Sequence, residues 1–419
     1  MDLLEGPFIG KPQAFAQRKT GRSDLDMPLF VLNSLKRSRP LCTPSRSRNA
    51  ALALLLVSTS AIGQTFSWKW SYGLTTDSPE MFNDVAVDNA DASVYAIGDA
   101  QNTSLVVWPI TLFDQDQSVL MKFDPLGNTI WSVPIGGSNQ GTVESVAVGP
   151  DGTVYVTGGF KSVCQFFNTG SSLAAYTLLN FNGTVDIYMA AFSSSGQFLW
   201  AQAIGSPSYD DLGPQVVADA SGATFFGTYK GTLSHYVLGA LPALNTATYD
   251  MFLFHTDQAG SMQWERTGGS TSDDLSTSIA SDGTRIYTAQ VSGGTTLRWY
   301  DNTSTIIGTS TATTKDHHIV AFTTSGAWSW SAAVSNPSTS LFGNPSVAVG
   351  CAGVYITGAT GNSSSLLSSS PSSTNGNSSV YLARLDQVTG ATGTNNWVKW
   401  GYCNGGGSLF TNSREQWER

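Results

Sequence analysis

The chain has 419 residues, enough for one large domain or two to three ordinary ones. Only 12% of residues are charged and 43 are glycine, which excludes a helical protein rich in Ala, Glu, Lys and Leu and fits short strands joined by small-residue turns. The formal charge of −9 excludes a broad phosphate-neutralising surface, and with it nucleic acid or anionic lipid as partners.

The first 63 residues carry nine of the 21 Lys and Arg but four of the 30 Asp and Glu, leaving a body with 12 basic and 26 acidic residues and a formal charge of −14. Lys36-Arg37-Ser38-Arg39 and Arg46-Ser47-Arg48 precede the apolar run Ala50 to Val57, and small residues Ser58 to Gly63 follow. Positive flank, short apolar core and small-residue exit predict a secretory signal, with Gln64 as the mature N-terminus. The alternative is an uncleaved anchor, for which the run is short of the ~20 residues a span requires. Met27 is a second candidate start. Cys42 falls in this segment, and Cys164, Cys351 and Cys403 lie beyond it without metal-type spacing. Cys351 and Cys403 either pair in an oxidising compartment or remain buried thiols.

From residue 64 onward the chain is periodic. Trp70, Trp131, Trp200, Trp264, Trp330 and Trp400 follow one another at steps of 61, 69, 64, 66 and 70 residues, the mark of a repeat architecture. Each repeat contains four strand-length apolar runs. The first alternates with period two, as in Val146-Ala147-Val148-Gly149, and ends at a turn such as Pro150-Asp151-Gly152. The second carries an aromatic, as in Val154-Tyr155-Val156-Thr157-Gly158. A variable insert rich in Ser, Thr, Gly and Asn separates it from the third, as in Ile187 to Phe192. A glycine turn (Gly127, Gly196, Gly260, Gly326, Gly390) leads to the fourth, which holds the recurrent Trp.

This pattern predicts an all-β protein, a β-propeller of about five four-stranded antiparallel blades, in which each small sheet needs its neighbours to bury its faces. The Trp strand occurs six times and the other three strands five times. Phe66-Ser67-Trp68-Lys69-Trp70 therefore either closes a five-bladed ring by completing the last sheet or belongs to an incomplete six-bladed ring. The organisation expected is residues 1–63 as extension and signal, 64–403 as propeller, and 404–419 as an irregular tail that reads as truncated or frame-shifted.

Val146 to Gly158, Asp186 to Trp200, Asp250 to Trp264 and Ser346 to Gly358 resemble the bacterial secreted β-propeller repeat family, the SBBP-type repeats. The resemblance covers about residues 66–403 and implies blades in a secreted or cell-surface module, with no particular chemistry. The fourth repeat departs most, because Arg285-Ile286-Tyr287-Thr288-Ala289 lacks the closing glycine.

Repeated aspartates are the first candidates for chemistry. Asp186, Asp250 and Asp316 open third strands, Asp88, Asp151, Asp219 and Asp282 lie at turns, and Asp210-Asp211 and Asp273-Asp274 precede first strands. A ring of such carboxylates would suit Ca²⁺, whereas their repetition fits turn capping by short side chains. His317 and His318 are adjacent in a strand and so point to opposite faces, which prevents joint chelation. No Gly-x-Ser-x-Gly elbow or phosphate loop is present. Aromatics outside the repeated positions are the better ligand candidates: Trp108, Tyr176, Trp299, Tyr300 and Trp328. Alternation turns Trp299 inward and leaves Arg298 and Tyr300 on the other face, available to a polar ligand.

The functional expectation is a secreted, periplasmic or cell-surface module that binds glycan or protein, or serves as a scaffold. It has no catalytic residues and no cofactor beyond Ca²⁺. The alternative is a glycan-active hydrolase or lyase, which requires two acidic residues at non-repeating positions facing one cavity. The acids visible in the sequence occupy repeated positions instead.

Overall fold

The computed structural model describes residues 80–100, 106–107, 110–111, 117–136, 141–180, 184–206, 212–235, 239–240, 244, 247–311, 316–335, 344–360, 364–370 and 379–402. All of them belong to the body spanning Ser34–Arg419. The proposed signal segment, Phe66 to Trp70, Trp108, Asp210-Asp211 and the tail from 404 lie outside the described residues.

Every described element is a strand. The first repeat supplies β1 (Glu80–Val87), β2 (Val94–Ala100), the short pair β3 (Val106–Val107) and β4 (Ile110–Thr111), then β5 (Gln117–Phe123) and β6 (Thr129–Gly136). The second supplies β7 (Ser145–Val148), β8 (Val154–Phe160), the insert hairpin β9 (Val163–Phe167) and β10 (Ala174–Leu179), then β11 (Asp186–Phe192) and β12 (Phe198–Gly205). The third supplies β13 (Leu212–Asp219), β14 (Gly222–Lys230), β15 (Ser234–His235), β16 (Gly239–Ala240), β17 (Tyr249–Thr256) and β18 (Met262–Gly269). The fourth supplies β19 (Asp274–Ser281), β20 (Arg285–Ser292), β21 (Thr296–Tyr300), β22 (Ile306–Thr311), β23 (Asp316–Thr323) and β24 (Trp328–Val334). The fifth supplies β25 (Ser346–Gly350), β26 (Gly353–Thr360), β27 (Ser379–Leu385) and β28 (Trp397–Tyr402).

Each repeat folds as an antiparallel four-stranded meander, as its pattern predicts. The last sheet draws all four of its described strands, β25 to β28, from its own repeat. The inserts behave differently from simple loops. The hairpin β9–β10 joins the first repeat's sheet at β6, β15–β16 joins the second's at β12, and β21–β22 joins the third's at β18. The fifth repeat's insert makes the same backward contact in miniature, through paired backbone bonds between Ser335 and Ser365. The inserts of the second, third and fourth repeats thus extend the preceding repeat's sheet, whereas β3–β4 of the first pair only with each other.

Apolar burial follows the same logic. Four buried clusters fill the spaces between consecutive sheets, the first built from residues such as Leu120, Trp131, Val156 and Tyr188, the last from Tyr287, Trp330, Ile356 and Tyr381. Neither sheet face could be buried by one repeat alone. The first strands β1, β7, β13, β19 and β25 pack side by side in chain order, and among the described residues no comparable packing joins β25 to β1.

The recurrent Trp and Gly form a joint between repeats. Trp131 Nε1 donates to Ser194 O at 3.1 Å, Trp200 to Gln258 O at 3.0 Å, Trp264 to Thr324 O at 2.9 Å and Trp330 to Gln387 O at 3.0 Å. Each acceptor lies in the third-to-fourth strand turn of the following repeat. The turn glycines Gly196, Gly260, Gly326 and Gly390 adopt φ of 77°, 85°, 76° and 59° and lie directly on those indole rings. Positive φ and the absent side chain are both used. Trp400 differs: its Nε1 donates to Ser369 Oγ of its own repeat at 3.2 Å.

Candidate functional site

The first strands are not hydrogen-bonded to one another as a sheet. Instead a side chain at one position of each reaches the backbone of the next. Val146 N donates to Asp84 Oδ2 at 3.1 Å, Val216 N to Ser145 Oγ at 3.3 Å, Ile279 N to Gln215 Oε1 at 3.1 Å and Val347 N to Ser278 Oγ at 3.2 Å. These donors would otherwise be unsatisfied in a crowded centre. The acceptors differ chemically and in length, so this ladder has no sequence signature beyond a polar residue before an apolar one.

At the head of the ladder the first two repeats bring two acids together. The half-buried Asp99 carboxylate accepts from Ser118 Oγ at 2.5 Å, from Asn83 Nδ2 at 2.5 Å and from Val143 N at 3.0 Å. Asn83 Nδ2 also donates to Val143 O at 2.6 Å, tying β1 to the segment before β7. The next residue is Glu144, whose carboxyl is pushed up to about 7 by burial, with the charge of Asp99 adding to the shift and Thr142 opposing it. Tyr188 Oη, which donates to Thr142 O at 3.2 Å, closes the same corner. Asp99 corresponds to Gly159, Thr228, Val291 and Ala359 in the other repeats, and Glu144 to Asn83, Pro214, Thr277 and Pro345. Both are therefore non-repeating. The expectation that acids occupy only repeated positions is corrected here, because two positions 45 residues apart are apposed only when the first repeat packs on the second.

A second polar constellation surrounds His255 on β17. Its Nδ1 lies 2.9 Å from Thr224 Oγ1 and its Nε2 3.1 Å from Ser221 Oγ, while Trp264 stacks on the ring with centroids 5.3 Å apart. Ser221 Oγ also donates to Asp219 Oδ1 at 2.5 Å. The carboxylate takes the hydroxyl proton rather than orienting the imidazole, which is the wrong order for activating a nucleophile. His255 is a packed ring with both nitrogens engaged.

The residues singled out in the sequence have plain positions. Trp299 is fully buried, while Arg298 and Tyr300 on the other face of β21 are half-buried, opposite Gly269 and Thr267. They share a face but lie on a different sheet from the acid pair. Tyr176 on β10 stacks on Phe198 at 5.4 Å, and Trp328 packs edge-on against Phe322 at 5.8 Å. Trp108 lies outside the described residues.

Asp186, Asp250 and Asp316 are fully buried. The first two lie against Gly205 and Gly269 at the ends of β12 and β18. The turn aspartates bond to their own backbone, as Asp151 does to Thr153 N at 3.1 Å and Asp219 to Ser221 N at 2.7 Å. Among the described residues, no three His, Cys, Asp or Glu side chains are placed to hold a metal ion. His317 Nδ1 meets Tyr381 Oη at 2.9 Å on one side of β23, and His318 Nδ1 meets Ser310 Oγ at 2.8 Å on the other. Cys351 is in a disulfide whose partner lies outside the described residues, and Cys164 is a buried thiol.

No protein-family model matches the chain, and no curated protein sequence matches it. Among solved structures the chain is similar to BamB from Moraxella catarrhalis, at 12% identity, over 58% of this chain and 83% of that chain, with a TM-score of 0.23. No described helix is long and apolar enough to cross a membrane.

Proposed function

We propose that this chain is an exported β-propeller module that binds extended segments of partner proteins on the outer edge of its sheets. The observation that carries this reading is β10. It is the outermost strand of a six-stranded sheet, and no described strand pairs with its far edge. Ala174 to Thr177 and Leu179 are exposed, with Tyr176 at 41% and Leu179 at 65%, and Leu173 just before them reaches 78%. From Ser171 to Asn180 no residue is charged and none is proline. Natural edge strands are usually blunted by such residues or by bulges; β10 lacks the former and is bulged only at Ala175, which leaves Tyr176 to Leu179 as a regular edge able to accept another strand. The fold already uses that mode three times, since β9, β15 and β21 each add to the outer strand of the preceding sheet. The disulfide at Cys351 supports an oxidising compartment.

A second copy is a weaker occupant. One β10–β10 pairing buries far less than the ~1,200 Å² of a stable interface and would bring two acidic bodies together. The test is fluorescence anisotropy with a dye-labelled, capped eight-residue peptide of alternating Val and Thr. Wild type is expected to bind, Ala175→Lys and Leu179→Lys to lose at least tenfold in affinity, and Leu126→Lys, at an exposed position in the β5–β6 turn, to bind normally. Equal binding by all four proteins, or none by wild type, overturns the reading.

The glycan-active alternative is favoured by one observation, the apposition of Asp99 and Glu144, in which a carboxyl shifted to about 7 beside a carboxylate suits general-acid work. Turnover of an oligosaccharide panel that disappears in Glu144→Gln would establish it.

A further inference from the structure

The fourth repeat breaks the pattern at three positions that face one another. In the second repeat Gly158 on β8 is paired with Tyr188 on β11, and a Cβ on the glycine would lie 2.8 Å from Tyr188 Oη. The fifth repeats this with Gly358 and Tyr381, again at 2.8 Å, and the third pairs Gly227 with Phe252. In the third and fifth repeats the missing side chain makes room for the ring, and in the second for the Thr142 carbonyl as well as the ring. In the fourth repeat the same pair is Gln290 on β20 and His318 on β23. The insert hairpin changes with it: β10 presents buried Leu178 opposite Cys164, whereas β22 presents buried Ser310 opposite Leu297. Relative to the second repeat, glycine, tyrosine and leucine have become amide, imidazole and hydroxyl together; the first repeat pairs its glycine with Val119.

All three are buried, with Gln290 and His318 fully so. Ser310 Oγ engages His318 Nδ1 at 2.8 Å, but His318 Nε2 and both the Nε2 and Oε1 atoms of Gln290 meet no hydrogen-bond partner among the described residues. Ser276, beside Gln290 on β19, is already engaged with Thr228 Oγ1 at 2.9 Å. A buried amide with neither end bonded is costly, and the bond between Ser310 and His318 offsets only part of the cost of replacing an apolar set by a polar one.

We propose that Gln290 and His318 form a buried site for an uncharged, water-sized hydrogen-bonding ligand, namely ordered water, between the third and fourth sheets. Gln290 offers one donor and one acceptor, and His318 Nε2 offers either role according to which way the Ser310 hydroxyl points. No charge is called for, since burial and the neighbouring His317 hold His318 neutral down to about 4. Full burial excludes bulk solvent, and Gln290 and His318, paired across β20 and β23, supply polar partners of the kind a retained internal water needs.

Oxygen-17 relaxation dispersion counts long-lived internal waters, and calorimetry supplies the melting temperature. Gln290→Met keeps the volume and removes the amide. It is expected to lower the melting temperature by several degrees and to remove at least one long-lived water. The double variant Gln290→Gly with His318→Tyr restores the packing of repeats two and five, so it keeps the fold, and it is expected to lack the same water. A melting temperature raised by Gln290→Met, or an unchanged water count in either variant, overturns the proposal.

Discussion

Trp264 of the third repeat lies beneath Gly326 of the fourth, so close that a Cβ on the glycine would fall 2.6 Å from the indole Cδ2. The same glycine carbonyl accepts from Arg266 Nε at 2.7 Å, and the Arg266 guanidinium lies 5.3 Å from the Trp264 ring centroid. Indole, turn and guanidinium therefore fix one repeat on the next. Gly326→Ala is expected to cost about 1–2 kcal/mol from its φ of 76° and a further ~2 kcal/mol from the clash. Gly170→Ala is the control, since φ there is 74° but nothing lies within 4 Å of the added carbon. Urea unfolding of both variants separates the two contributions; equal losses would mean that the stacked turn contributes nothing.

The ladder between first strands gives a graded prediction. Asp84 serves three donors, Val85 N at 2.8 Å, Ser145 Oγ at 2.9 Å and Val146 N at 3.1 Å. Ser278 Oγ is engaged with Val347 N at 3.2 Å and makes longer contacts to Ser346 and Val347 O at 3.5 Å. Asp84→Ala should destabilise by about 2–3 kcal/mol and Ser278→Ala by ~1 kcal/mol, measured by chemical unfolding. Ser346, at the far end, is exposed, and its replacement by Ala should be silent.

Glu144 makes stability depend on pH with a definite sign. Its carboxyl titrates near 7 in the folded protein and near the ordinary value of 4.5 when unfolded. The folded state thus binds more protons between those values, and its stability falls as pH rises through that window. Asp274, raised to about 6 by burial, contributes in the same direction over a lower range. The melting temperature of wild type should therefore drop from pH 5 to pH 7 more than that of Glu144→Gln. Parallel pH profiles would show that Glu144 is solvated as an ordinary carboxylate.

Cys164 should be chemically silent in the native state. It is fully buried in the apolar cluster between the first two sheets, where desolvation raises its thiol well above the usual range. Iodoacetamide labelling, read by mass spectrometry, is expected at Cys164 only as the protein unfolds. Rapid native labelling would mean that the junction between the first two sheets opens readily.

The four-strand repeat was legible in the residues because it depends on local chemistry. Period-two alternation sets which side chains enter the space between sheets, and a glycine with positive φ sets each third-to-fourth strand turn. The spacing of Trp200, Trp264 and Trp330 could be read as well, although not what each ring touches. Alternation alone turned Trp299 inward and placed His317 and His318 on opposite faces, as found.

Contacts between repeats could not be read in that way. Asp99 meets the segment of Glu144, Trp264 meets Gly326, and β9 joins β6 only because whole sheets pack in order, and such contacts leave no period in the chain. The signal that was available lay in the departures: an acid where other repeats have Gly, Thr, Val or Ala, and Gln290 where they have glycine. Local sequence determined the strands and turns, since those depend on backbone preference and side-chain alternation. Tertiary structure decided which non-repeating polar groups share a corner, since that depends on the packing of one sheet against the next.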